Sequence, residues 1–294
     1  VRDAAQGITM PFQASKKRER RAAEPVAYGK PLGPSAAIRS WYEGLMLAVT
    51  NEMVKDYRKE LQEALEHPEV EAFYAEDAAD SVFQRVMRRL NRKWSEVFSG
   101  FAQKYAPEFV EKVDDHSKSS TWFSLSAAGV KEPRTTYNNN VAATLGASTE
   151  FNHTLITNIQ KDVHEKIYSA VMLSLTSPNP EEQGASGIQN ALREAGSFAK
   201  KRVDLIARDQ TSKLYSALSD ERLRQNGCGY FKWLHSSAGK VPRQSHVDKD
   251  GEIFSLDDPR LWEGPKSDQG PPGWAINCRC RKMPVIGYRE DENE

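Results

Sequence analysis

The chain has few cysteines, no long apolar run and no excess of either charge. Three cysteines among 294 residues are too few for a disulfide framework, and one would always be left over. A reducing cytoplasm is the expected folding compartment. No apolar stretch approaches the roughly 20 residues a bilayer span requires, and no signal-peptide pattern opens the chain, so a soluble protein is expected. Its first residue is Val1 rather than Met, which fits processing, an unusual start codon or an excerpt. Lys plus Arg and Asp plus Glu number 41 each, so any nucleic-acid contact must rest on a local patch. Also missing are G-x-S-x-G, a phosphate loop, a His pair at ligand spacing on a helix and paired carboxylates in an apolar setting. No enzymatic role is expected.

What is present is mostly helical. The pattern predicts a mainly α protein with a small β-rich C-terminal module, α+β overall. Residues 1–34 hold Pro, Gly and a run in which five of six residues are basic: Lys16, Lys17, Arg18, Arg20 and Arg21. They read as a flexible arm that either contacts DNA phosphates or stays solvated. Behind the N-cap candidate Ser35, apolar residues recur at Ile38, Trp41, Tyr42, Leu45, Met46, Val49 and Met53, the helical period. His67-Pro68 is a natural stop. A second helix follows from Phe73 to Phe101, with Arg85, Arg88, Arg89, Arg92 and Lys93 on its solvated face. Residues 35–113 are therefore expected to form a long antiparallel hairpin.

Residues 114–150 show turn formers and no sustained period, and are expected to be a linker with one short strand. Helical spacing returns from Leu155 to Val171 and ends at Ser177-Pro178. A short helix over Ser186–Ala195 and a long one over Phe198–Asn226 complete a helical region, 151–227, with Gly227 placed to end it in the left-handed conformation. Gln210 interrupts the last apolar stripe. A buried Gln needs partners, so it is expected to bond backbone of the module that follows. Strands are expected at Gly229–His235, Glu252–Leu256 and Arg279–Ile286, within a module spanning 228–286. An acidic tail, 287–294, is expected to be solvated.

The module concentrates the chemistry-bearing residues. Cys278 and Cys280 are one residue apart, and residues i and i+2 of a strand share a face. With His246 they supply three ligands of a tetrahedral zinc site, and His235 is a candidate fourth. The other reading makes the cysteines half-buried small hydrophobes and bonds His246 to backbone near the Asp250-Gly251 turn. His246 with Asp248, Asp250 and Asn277 is loosely similar to metal-dependent nuclease sites, and the alternative function is a metal-dependent nucleic-acid-processing enzyme whose metal site is His246 with the two cysteines.

These residues carry a resemblance. The pieces are Ile206-Ala207-Arg208-Asp209-Gln210, Gly227, Trp233, Val241, His246, Asp250-Gly251 with Phe254, Pro272-Gly273, and Asn277-Cys278-Arg279-Cys280 with Pro284. In order and spacing they resemble the phage Mu F-like minor head, or head morphogenesis, family. Asn152 to Ile159 is similar to that family's N-x-x-L-I segment, so the likeness covers roughly residues 120–286. Pro242 stands where the family has Arg, with Arg243 adjacent, and Ser236–Lys240 replaces a segment that is often acidic. The resemblance implies a low-copy virion protein, assembled in the host cytoplasm, that contacts the portal, the scaffold or the major capsid protein. It also implies occasional contact with genomic DNA without sequence preference, and no membrane partner.

Overall fold

The computed structural model describes residues 26–66, 78–176, 179, 183–237 and 241–288. Four long helices follow one another: α1 (Ala36–Leu65), α2 (Ala78–Ala127), α3 (Asn139–Thr176) and α4 (Gly184–Gln225). A four-stranded antiparallel sheet joins β1 (Ala27–Tyr28), β2 (Tyr230–Leu234), β3 (Ile253–Ser255) and β4 (Arg281–Ile286), in the order β1-β4-β2-β3. A short helix, α5 (Gln244–Asp248), lies between β2 and β3. The fold is mainly α with a small sheet, as the sequence pattern indicates. Among the described residues, no helix is long and apolar enough to cross a membrane.

The first hairpin forms as its periodicity dictates. Ser35 caps α1, its Oγ accepting the Ile38 N–H at 3.3 Å, which satisfies one of the open amides of the first turn. Tyr42, Met46, Met53, Tyr57 and Leu61 are buried along one stripe of α1. Asp56 accepts from Lys93 and Trp94 at 2.8 Å, Glu60 pairs with Arg89, and Tyr42 stacks on Phe109 with ring centroids 4.0 Å apart. Position numbers rise along α1 as they fall along α2, so the two helices are antiparallel. Part of the basic face of α2 is thus spent on the acids of α1. The His67-Pro68 stop lies outside the described residues.

Residues 114–150 are not the expected linker. Helix α2 continues to Ala127 and α3 begins at Asn139, so helix covers all but the middle of that stretch. The apolar period fails there because the buried positions are polar: Asp114, Ser117, Thr121 and Ser124. Their steps of three and four are still helical. Asp114, Ser117 and Ser124 can be buried because each finds a partner, whereas the Thr121 hydroxyl is buried without one among the described residues. Arg222 reaches Ser117 Oγ at 2.7 Å and Asp114, and Ser124 Oγ donates to the Lys30 carbonyl at 2.7 Å. Pro107 sits inside α2 and forfeits one ladder bond. The helix holds through it, with Ala106, Phe109, Val110 and Val113 all buried.

Two further expectations change. The helices placed at 186–195 and 198–226 are one continuous helix, α4, which runs through Gly196-Ser197. Glycine within a helix costs about 1 kcal/mol relative to alanine, but Ala191, Ala195, Ala199 and Val203 are buried on either side of it. Gly227 does end α4, at φ +68°. The N-terminal segment is also not wholly a free arm. Residues 27–32 join the sheet: Ala27 lies opposite Ile286, Gly29 donates to the Pro284 carbonyl at 2.9 Å, and Leu32 bridges to Lys282. Leu32 is buried, which anchors the chain just before α1.

The sheet lies against the C-terminal part of α4, and polar groups make the join. Lys282 is fully enclosed; its Nζ donates to Ser216 Oγ at 3.0 Å and pairs with Asp220. Ser216 Oγ in turn donates to the Pro272 carbonyl at 2.9 Å. Burial pushes the Asp220 carboxyl up and the Lys282 ammonium down from their ordinary values, and each partner's charge opposes the shift of the other.

Candidate functional site

Trp233 organises the floor of the module. It is fully buried on β2, edge-on to His246 at 5.2 Å and to Phe254 at 6.0 Å between ring centroids. Phe254 also stacks near Phe231, its cross-strand partner. The Asp250-Gly251 turn closes the segment that returns to β3. Gly251 takes φ +84° and donates to the Trp233 carbonyl at 2.9 Å, while Asp250 Oδ1 accepts the His235 N–H at 2.7 Å. A side chain at Gly251 would strain that φ.

Helix α5 carries His246 into the interior, where its ring meets both cysteines. Nδ1 lies 3.6 Å from Cys278 Sγ and 3.6 Å from Cys280 Sγ. Nε2 lies 3.0 Å from the Asp268 carbonyl oxygen. That carbonyl accepts only, so Nε2 carries the proton and the Nδ1 lone pair faces the sulfurs. The backbone bond expected near the Asp250-Gly251 turn is made instead to a residue of the long loop, 257–277. All three side chains are buried, and their ligand atoms lie within 4.8 Å of one another. Among the described residues they are the group able to hold a metal ion. His235 lines the same cleft, of about 360 Å³, but is outside this cluster and is corrected as a fourth ligand.

The loop is shaped to deliver the sulfurs. Asn277 adopts φ +61°, the left-handed region, immediately before Cys278. Its Oδ1 accepts from Arg208 of α4 at 2.8 Å, and Arg208 is itself paired with Asp204. The Gly273 N–H donates to Cys278 Sγ at 3.4 Å, with Gly273 at φ +89°. The Cys278 thiol is pushed well down by its contact with Cys280, against the effect of burial, with the contact to His246 and the Gly273 N–H adding to it; Cys280 is pushed up by its contact with Cys278 and by burial. Burial opposes charge on His246, but the contacts with Cys278 and the Asp268 carbonyl outweigh it and raise its pKa.

Other expected residues fall into place differently. Gln210 is buried, but its partners are side chains, Asn152 of α3 at 3.5 Å and Asp209 at 3.3 Å, rather than backbone of the module. Asn152 also accepts from Tyr42 at 3.0 Å, so Gln210 locks three helices together. Lys16, Lys17, Arg18, Arg20 and Arg21 lie outside the described residues, as does the tail beyond Tyr288. Arg243 finds an acid after all: Nε pairs with Asp268 at 3.0 Å and Nη2 donates to the Ile276 carbonyl at 2.7 Å. Arg208, Asp268, Gly273 and the Asp220–Lys282 pair escaped the sequence reading as site-builders. Only Arg208, inside the Ile206–Gln210 motif, and Gly273, inside Pro272-Gly273, carry a sequence signal.

Known proteins match the chain in two ways. A profile of the phage Mu protein F like family matches residues 166–283. A Haemophilus influenzae protein, described only as uncharacterized, is 27% identical over 272 residues, covering 89% of this chain and 56% of its own length. The chain therefore spans little more than half of that relative. No solved structure matches. The matched segment opens near the end of α3, contains all of α4 and closes within β4, so it encloses the cluster, its cleft and the buried lysine. Residues 166–283 are thus similar to the phage Mu protein F like family, and the likeness covers the whole cluster.

Proposed function

We propose that this chain is a structural and assembly protein of a phage head: a minor head protein, present in few copies, that acts in head morphogenesis beside the portal vertex. The observation that carries the proposal is the family match over residues 166–283. The chemistry of the buried acids supports it. Asp114 is engaged by Arg222 and Lys118, and Asp220 by Lys282, which leaves these carboxylates tied into the architecture rather than poised against a cleft. The exposed aromatics Trp122, Phe123 and Phe151 give the helices apolar faces suited to protein partners. Those partners are the portal protein, the scaffold or the major capsid protein.

The basic arm is assigned to genomic DNA, bound through phosphates without sequence preference. Neutralising five phosphates of duplex DNA would give affinity a log–log salt slope of about −4.5. A DNA mobility shift that persists after deletion of residues 1–24 would remove the arm from that role. The head assignment is tested in a phage that encodes the chain. Purified heads should contain it at low copy, and heads formed without it should be fewer or unable to package. Normal infectious particles lacking the chain would overturn it.

A further inference from the structure

We propose that His246 Nδ1, Cys278 Sγ and Cys280 Sγ bind one zinc ion, which fastens the long loop and α5 to the start of β4. The inference is independent of the head assignment. Geometry carries it. Zinc bonds of about 2.3 Å to sulfur and about 2.0–2.1 Å to nitrogen, at the tetrahedral angle, set each sulfur about 3.5–3.6 Å from the nitrogen. Both separations here are 3.6 Å. A hydrogen-bonded triad without metal does not ask for that symmetry, because one Nδ1 lone pair takes one thiol proton.

The surroundings match the donor set. The Asp268 carbonyl fixes the Nε2–H tautomer and aims Nδ1 inward, the outer contact that metal-bound imidazoles ordinarily make. The Gly273 N–H supports the Cys278 sulfur, an arrangement that favours thiolate. Two thiolates and Zn²⁺ sum to zero charge, so the cluster can be buried without an unpaired charge. Soft sulfur donors select zinc over magnesium or calcium.

Three protein ligands leave a fourth tetrahedral position. It falls on the cleft lined by His235, Ser236, Arg243, Asn277 and Arg279, and water is its expected occupant. The mechanical consequence follows from where the ligands sit. His246 belongs to α5, and the cysteines lie at the far end of a loop whose buried apolar anchors include little beyond Leu261 and Ala275. One ion would replace the missing core.

The test uses the full chain. Elemental analysis of purified protein should find about one zinc per chain. After stripping with a chelator, titration with Co²⁺ should produce the intense visible bands of tetrahedral cobalt together with thiolate charge-transfer absorption. Cys228→Ser should keep both signals, since Cys228 bonds to the Tyr230 and Val285 carbonyls at 3.5 Å and is not in the cluster. Cys278→Ser and Cys280→Ser should lose the charge-transfer intensity or, if they fail to fold, leave the wild-type titration to decide. Wild-type protein that stays folded, carries no zinc and gives no thiolate–cobalt bands would overturn the proposal. So would full cobalt binding by folded Cys278→Ser.

Discussion

The helical bundle and the C-terminal module share one apolar core, but the join of the module to α4 adds a set of buried and half-buried polar contacts. Tyr42, Met53, Phe98, Ile159 and Val203 of the bundle and Phe231, Trp233 and Phe254 of the module belong to one continuous apolar core, and burial of carbon surface stabilises both. At the module, the join to α4 runs through Lys282 with Asp220, Ser216 with the Pro272 carbonyl, and Arg208 with Asn277. Apolar packing tolerates substitution that keeps volume. A buried ionic join tolerates loss of both partners better than loss of one. The two regions should therefore fail differently.

The largest effect is expected from Lys282→Met, which leaves Asp220 buried without its cation and should cost about 3–5 kcal/mol. Combining it with Asp220→Leu should recover much of that loss; denaturant midpoints of the single and double variants measure the difference. In the bundle, Ile159→Ala should cost about 2–5 kcal/mol through lost burial and a cavity, read by the same unfolding curves. Ile159→Val should cost only about 0.5–1.5 kcal/mol. If the two regions responded alike to paired and single losses, the distinction between them would collapse.

Smaller changes sharpen the contrast. Gly273→Ala forces an L side chain to φ +89° with the Ser212 carbonyl 3.3 Å from the new Cβ, and should cost about 1–3 kcal/mol. Local hydrogen exchange should report that loss in the loop and not in α3. Ser35→Ala removes the α1 cap and should cost about 1 kcal/mol, seen as a modest fall in thermal midpoint. Unchanged stability for both would mean that neither the loop turn nor the cap matters to the fold.

The same contrast explains what the sequence revealed. Bundle helices were legible wherever their buried positions are aliphatic or aromatic, as at Tyr42 to Leu61. They were illegible over Asp114 to Ser124, where the buried stripe is polar and its partner, Arg222, lies 108 residues away from Asp114. No local window contains that pairing. Gly196-Ser197 reads as a break because local propensity does not contain the small-residue packing of Ala191, Ala195 and Ala199 around it. Strand β1 was missed because two residues carry no period, and only β4 gives them a partner. Of the cluster, residue types and the i, i+2 cysteine spacing were visible. The tautomer, set by a backbone carbonyl, and the turn at Asn277 were not, since both are properties of the folded loop.

One measurement bears on both regions at once: hydrogen exchange of the full chain with and without a chelator, read by peptide. The expected result is loss of protection across the 257–280 loop, α5 and β4, with protection retained in the bundle core around Met53, Ile159 and Val203. Unchanged protection in the loop, or a uniform loss along the chain, would contradict a loop and α5 fastened by polar and metal contacts of their own.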